Sequence, residues 1–262
     1  MPRMALGISY NGRDFHGWQS QPDLPNIQDC LEQSLSLFTQ HPIRVICAGR
    51  TDAGVHAFNQ VVHFDSPVER PLYSWIKGVN ANLPPDIRVN WSKVVADDFH
   101  ARFDAVERSY LYYLRNEPVR MPVWRGIVGW EFRPLDVHKI QEAMTRLVGE
   151  HDFSSFRASE CQAKSPIKHM YEACVEQHGA LFIFKFRANA FLHHMVRNLI
   201  GSLLYVGQGR KPVSWISDLL DQKNRSLAAP TFMADGLYLS DVRYPDWQAS
   251  DLYTEKLFGK NW

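Results

Sequence analysis

The sequence predicts an α+β protein made of two halves with a similar order of elements. Three observations carry this expectation. Short runs rich in β-branched and aromatic residues are interleaved with segments whose apolar residues recur at helical spacing. Up to about residue 105 the order reads β-α-β-β-α-β, a split βαβ of the ferredoxin type. An aromatic strand then restarts the order, which puts a boundary near Ala105 and gives domains over 1–105 and 106–262. Two sheets meeting edge to edge would leave a central cleft between the halves.

The elements follow in order. Residues 3–10 alternate as a first strand and lead into the polar loop 11–19. Asn26 is positioned as the N-cap of a helix in which Ile27, Cys30, Leu31, Ser34, Leu35 and Phe38 share one face. Residues 45–47 and 60–64 read as strands on either side of a tight loop. A helix over 71–82 is stopped by Pro84 and Pro85, and residues 87–96 form a strand. In the second half, 108–115 is the aromatic strand and 126–132 holds a short one. Asp136 caps a helix that runs through Leu147 and is stopped by Gly149. Residues 170–177 and 181–188 form a hairpin around Gly179. Helices over 193–206 and from Pro212 to Asp221 come next, then a strand over 236–242. The tail, 246–262, holds one short helix.

Composition narrows the class. With 262 residues, 45% hydrophobic and 22% charged, the chain has the make-up of a soluble globular enzyme with a sizeable core. No apolar run reaches the length of a membrane span, and the first residues read as a strand, not a secretion signal. Cys30, Cys47, Cys161 and Cys174 are scattered without a Cys-x-x-Cys pair, which fits reduced thiols in a cytoplasmic protein and excludes a zinc ribbon. The net charge of +1 is low for a nucleic-acid binder, so any such role needs its cations gathered on one face. Arg157, Lys164, Lys168, Lys185, Arg187 and Arg197 outnumber the acids in their stretch.

The most specific segment is Cys47-Ala48-Gly49-Arg50-Thr51-Asp52-Ala53-Gly54-Val55-His56-Ala57. It presents one carboxylate in a glycine-flanked loop at a strand end, where a rigid sheet commonly holds reactive groups. Gly49 and Gly54 are expected to supply positive φ or a close backbone approach. An isolated Thr-Asp between glycines reads as an Asx-turn. The full string, however, resembles the signature of the tRNA pseudouridine synthase A family, whose aspartate is the catalytic nucleophile. Arg108-Ser109-Tyr110-Leu111-Tyr112 is similar to that family's second motif, and the resemblance makes Tyr110 the ring that stacks on the target uracil. Arg197, in the segment 191–203, matches the arginine that pairs with the nucleophile and keeps it ionised. Leu237 matches the apolar wall of the uracil pocket, and Arg50 the residue that fills the gap left by a flipped base. The segments 99–105 and 153–157 are also family-like, with Arg102 and Arg157 on RNA or in structural salt bridges.

The resemblance runs to about Tyr244. It implies the pseudouridine synthase fold and an isomerase that needs no cofactor and no metal. It further implies a homodimer acting on tRNA, at positions 38 to 40 of the anticodon stem-loop. A non-catalytic RNA-binding module on the same sheets is the alternative from another class. A hydrolase using Asp52 as general base, or a metal held with His56 and His63, is a second. A zinc reading of His193 and His194 is weak, because neighbours on a helix diverge by about 100°.

Overall fold

The computed structural model describes residues 2–252, which form a mixed α+β structure in two compact units. One unit takes residues 107–237. The other takes the chain before it and, after it, the chain from Tyr238.

The first unit is built on β1 (Arg3–Tyr10), α1 (Ile27–Thr39), β2 (Ile46–Cys47), β3 (His56–Asp65), α2 (Leu72–Asn80) and β4 (Ile87–Val95). Its strands run β4-β1-β3-β2, each antiparallel to its neighbour, as the β-α-β-β-α-β order requires. β1 lies in the middle, and its run from Met4 to Ile8 is almost wholly buried. Gly7 admits Trp91 at this point, since a Cβ there would meet the indole Nε1 at 2.0 Å. Asn26 caps α1 as expected, its side chain accepting the Asp29 N–H at 2.8 Å. Asp29 adds a favourable charge to the same turn. The helix buries Ile27, Leu31, Ser34 and Leu35, while Cys30 and Phe38 are only half-buried. The Ser34 hydroxyl donates to the Val79 carbonyl, and Phe38 meets Trp75 edge-on at 5.1 Å, which ties α1 to α2.

The second unit contains β5 (Glu107–Asn116), β6 (Gly129–Glu131), α3 (Val137–Thr145), β7 (Gly149–Asp152), β8 (Ile167–His178), β9 (Leu181–Ala188), α4 (Met195–Gly207) and α5 (Trp215–Gln222). The strands run β5-β9-β8-β7, antiparallel throughout, with β6 parallel to the end of β5. Tyr112, Phe182, Phe184 and Phe186 are buried on this sheet. Taken as β5-α3-β8-β9-α4, the unit carries a second β-α-β-β-α run. β7 was absent from the sequence reading. Gly149, expected only to stop α3, has φ +111 and starts this strand instead. α4 begins two residues later than expected, at Met195, because His194 sits at φ +61 as its N-cap.

β10 (Leu237–Arg243) returns to the first unit, where Tyr238 and Leu239 pair in parallel with His56 and Ala57 of β3. β2 and β10 therefore share one edge of β3. The helix expected in the tail begins at Ala249, and the rest of that segment lies outside the described residues. Among the described residues no helix is long and apolar enough to cross a membrane, and all four cysteines are free thiols.

His63 on β3 links the sheet to the loop after β4. It is buried, and its Nδ1 accepts the Ala101 N–H at 3.1 Å. Burial, reinforced by the charges of His100 and Arg3, lowers its pKa to about 4, so the ring is neutral in the folded state. A proton is taken up more readily by the unfolded chain, whose histidine titrates near ~6.5. This contribution to stability is complete above that pH and is lost as pH falls toward 4. We expect wild type to lose more unfolding free energy between pH 7 and pH 5 than His63→Gln, whose amide oxygen still accepts the N–H. The difference should approach at most ~1.4 kcal/mol per pH unit, as read by urea denaturation at each pH.

Candidate active site

The Asp52 loop is braced from behind. The Thr51 side chain is buried and its hydroxyl lies 2.7 Å from the Tyr10 hydroxyl, while its carbonyl accepts the Trp18 N–H at 3.0 Å. The Asp52 carbonyl accepts the Val55 N–H at 3.1 Å, which closes the turn, and Gly54 donates to the Phe15 carbonyl at 3.3 Å. Asp52 itself is half-exposed, with Arg50 solvent-exposed beside it. The bracing segment, 11–19, was read only as a polar loop. Trp18 at its centre is 1% exposed, and a buried tryptophan in a polar stretch is the signal that could have shown it.

Glycine has a different role here from the one expected. Gly54 does adopt positive φ, at +78, but Gly49 does not, and a Cβ there would have nothing within 4 Å. The restrictive position is Gly17, at φ +88, where a Cβ would lie 2.7 Å from the Thr51 carbonyl oxygen. Gly49 is instead fixed by Gln60, whose amide bridges its N–H and carbonyl. Cys47 is buried beneath the loop, and burial pushes its thiol up to about 12 against the opposing charges of Arg50 and Arg102.

The histidines of the strand are occupied. His56 accepts the Gly12 N–H through Nδ1 at 3.1 Å and stacks on Tyr238 at 4.4 Å. His63 uses Nδ1 on Ala101. Each Nδ1 is thus taken by a different backbone N–H, and among the described residues His56 and His63 do not fall in a common group of metal-ligating side chains.

The second unit holds the remaining sequence-predicted residues. Tyr110 is half-buried on β5 opposite Phe186, with Phe191 edge-on to its ring at 4.9 Å. Tyr112, two residues on, is fully buried and donates its hydroxyl to the Met233 carbonyl, so it belongs to the core. Arg197 lies in the first turn of α4, where its Nε donates to the Phe232 carbonyl at 2.9 Å. His193 precedes the helix and does not share a helical face with Arg197. The His193 and His194 rings lie 4.0 Å apart instead of diverging. Leu237 is buried, its N–H bonded to the Ala234 carbonyl. Arg157 donates to the Cys161 and Ala163 carbonyls of its own loop. Lys185 pairs with Glu176 at 2.5 Å, and Arg187 with Glu107 and Glu172, so part of the expected basic stretch is neutralised.

Asp52 thus stands as a half-exposed carboxylate on a braced strand-end loop, in the unit with the β4-β1-β3-β2 sheet. The tRNA pseudouridine synthase family model aligns with residues 8–104 and 143–245, and the chain belongs to that family. Its relatives include the tRNA pseudouridine synthase A of Dechloromonas aromatica (strain RCB), 56% identical over 250 residues and covering 95% of both chains. The protein of that name from Bordetella petrii is 54% identical over 247 residues, covering 94% of this chain and 92% of its own. The one from Burkholderia mallei (strain NCTC 10229) is 55% identical over 245 residues, covering 94% and 90%.

The two glycines make opposite predictions. Gly17→Ala should cost about 2 kcal/mol or more of unfolding free energy, since it combines positive φ with a backbone collision. Gly49→Ala should change stability by under ~1 kcal/mol, with open space for the methyl group. Urea denaturation of both variants checks the contrast.

Proposed function

We propose that this chain is an isomerase that converts uridine to pseudouridine in tRNA, with Asp52 as nucleophile. Membership of the family supports the reaction. The observation that carries the residue assignment is the rigid presentation of a half-exposed Asp52 within the family's signature string. The reaction breaks the N1–C1′ bond, turns the uracil and joins C5 to C1′. C5 gives up its proton and N1 gains one, so the atoms balance with no oxidation or hydrolysis. Asp52 attacks either the ribose C1′ or uracil C6, forming a covalent intermediate that splits the isomerisation into easier steps.

The other residues take supporting roles in this reading. Tyr110 stacks on the uracil, its plane held by Phe191, and its hydroxyl is a candidate base for the C5 proton. Arg197, anchored through Nε, is the ion-pair partner that keeps Asp52 charged when RNA excludes water. Leu237 lines the uracil pocket. Arg50 enters the stack vacated by the flipped base. By resemblance the targets are positions 38 to 40 of the anticodon stem-loop, and the enzyme works as a cytoplasmic homodimer in which each tRNA touches both subunits.

Incubation with an unmodified tRNA transcript, followed by mapping of pseudouridine, tests the activity and its targets. Asp52→Asn should abolish turnover, by at least about a thousandfold or ~4 kcal/mol in barrier height, while tRNA affinity persists. Residual activity within about tenfold of wild type would sink the nucleophile assignment. Arg50→Ala should slow single-turnover conversion more for a uridine in a paired stem than for the same uridine opposite a mismatch, because the mismatch lowers the cost of unstacking. Arg50→Lys should restore activity only in part, lacking the planar guanidinium. Equal defects on both substrates would assign Arg50 to binding or chemistry instead.

A further inference from the structure

The loop 97–104 after β4 presents an aromatic ring in an unusual setting. Phe103 is 74% exposed, yet the backbone that carries it is fixed at nearly every residue. Phe99 is buried against Tyr244 at 5.0 Å. Ala101 is wholly buried, donates to His63 and accepts the Tyr244 hydroxyl at 2.7 Å. His100 Nδ1 accepts the N–H of both Arg102 and Phe103 at 3.2 Å, and the His100 N–H donates to the Asp104 carboxylate at 2.7 Å. The His100 ring then backs the Phe103 ring in a stack, with centroids 4.1 Å apart and planes 28° apart. An exposed phenyl that gains nothing from core burial is thus held in one orientation, with an imidazole behind it.

Its surroundings point to RNA. The Arg102 guanidinium lies 5.7 Å from the ring centroid. The loop lies at the end of the sheet where Arg3 donates to the Phe99 carbonyl at 3.0 Å, whereas the Asp52 loop is tied to Tyr10 at the other end of β1. Of the loop's acids, Asp104 accepts the His100 N–H. We propose that Phe103, backed by His100, is a stacking platform for a nucleobase of the bound tRNA away from the target uridine, with Arg102 meeting the adjacent phosphate. Every base has a π-face, and aromatic platforms bind single-stranded or splayed nucleotides in this way. The proposal rests on the RNA-modifying function above and adds a second point of attachment to it.

The test compares the affinity of the full chain for an unmodified tRNA transcript, by filter binding, with sedimentation of the free protein. Phe103→Ala and Phe103→Leu should each weaken tRNA binding about tenfold, whereas Phe103→Tyr and Phe103→Trp retain it. Because the ring is exposed, the unfolding midpoint should not move. Unaltered affinity in Phe103→Ala would overturn the platform even if wild type forms pseudouridine normally. Affinity that falls in Ala but is kept in Leu would assign the position to apolar burial and overturn stacking. A dimer that dissociates in Phe103→Ala would make the ring a contact between copies of the chain and also overturn it. Wild type that binds tRNA through Phe103 but forms no pseudouridine would refute the isomerase and leave the platform standing.

Discussion

The carbonyl of Thr51 is where the first unit ties its catalytic candidate to its frame. The Trp18 N–H that holds it belongs to a segment whose own carbonyls, at Gly17 and Trp18, accept the N–H groups of Ile27 and Gln28. Those are donors at the start of α1 that have no partner within the helix. One short stretch of backbone therefore completes a helix and fixes a loop at the same time. It can do so only because Gly17 has no side chain and tolerates φ +88. With Tyr10 at the end of β1 holding the Thr51 hydroxyl, the strand, the helix and the Asp52 turn are set by one small group of contacts. Such preorganisation suits a nucleophile, which loses little further freedom when its substrate arrives.

The near-neutral charge is also explained by where charges are used. Arginines of the second unit commonly serve the backbone, as Arg197 does for Phe232 and Arg157 for Cys161 and Ala163. Lys185 and Arg187 face carboxylates across β8 and β9. Arg50 and Arg102, in the first unit, differ in standing solvent-exposed.

The chain's periodicity and caps made most elements legible. α1 was recoverable because Asn26 precedes a clean apolar stripe, and the hairpin of β8 and β9 because both strands alternate around Gly179. β7 was not, since Gly-Glu-His-Asp has no alternating apolar face and gains its strand form from pairing with β8. The start of α4 was misplaced because the left-handed turn at His194 leaves no mark in composition. Asp52 stood out through a string of neighbours. The parts that brace it did not, because Gly17 and Trp18 act through backbone contacts to residues more than thirty positions away. His100 and Phe103 were visible as a family-like string, but their mutual stacking is a matter of three-dimensional placement alone.

The shared edge of β3 has a bearing on how the molecule is made. Its first half waits for β10, a strand separated from it by the whole second unit, while β2 covers the other half early. During synthesis the backbone groups at His56 and Ala57 emerge long before Tyr238 and Leu239 exist to meet them. A nascent first unit thus carries an unpaired strand edge next to exposed Phe58, a template for wrong pairing until Leu237–Arg243 have been made. The braced loop that holds Asp52 leads directly into that edge, so this end of the unit is finished only when β10 pairs with it.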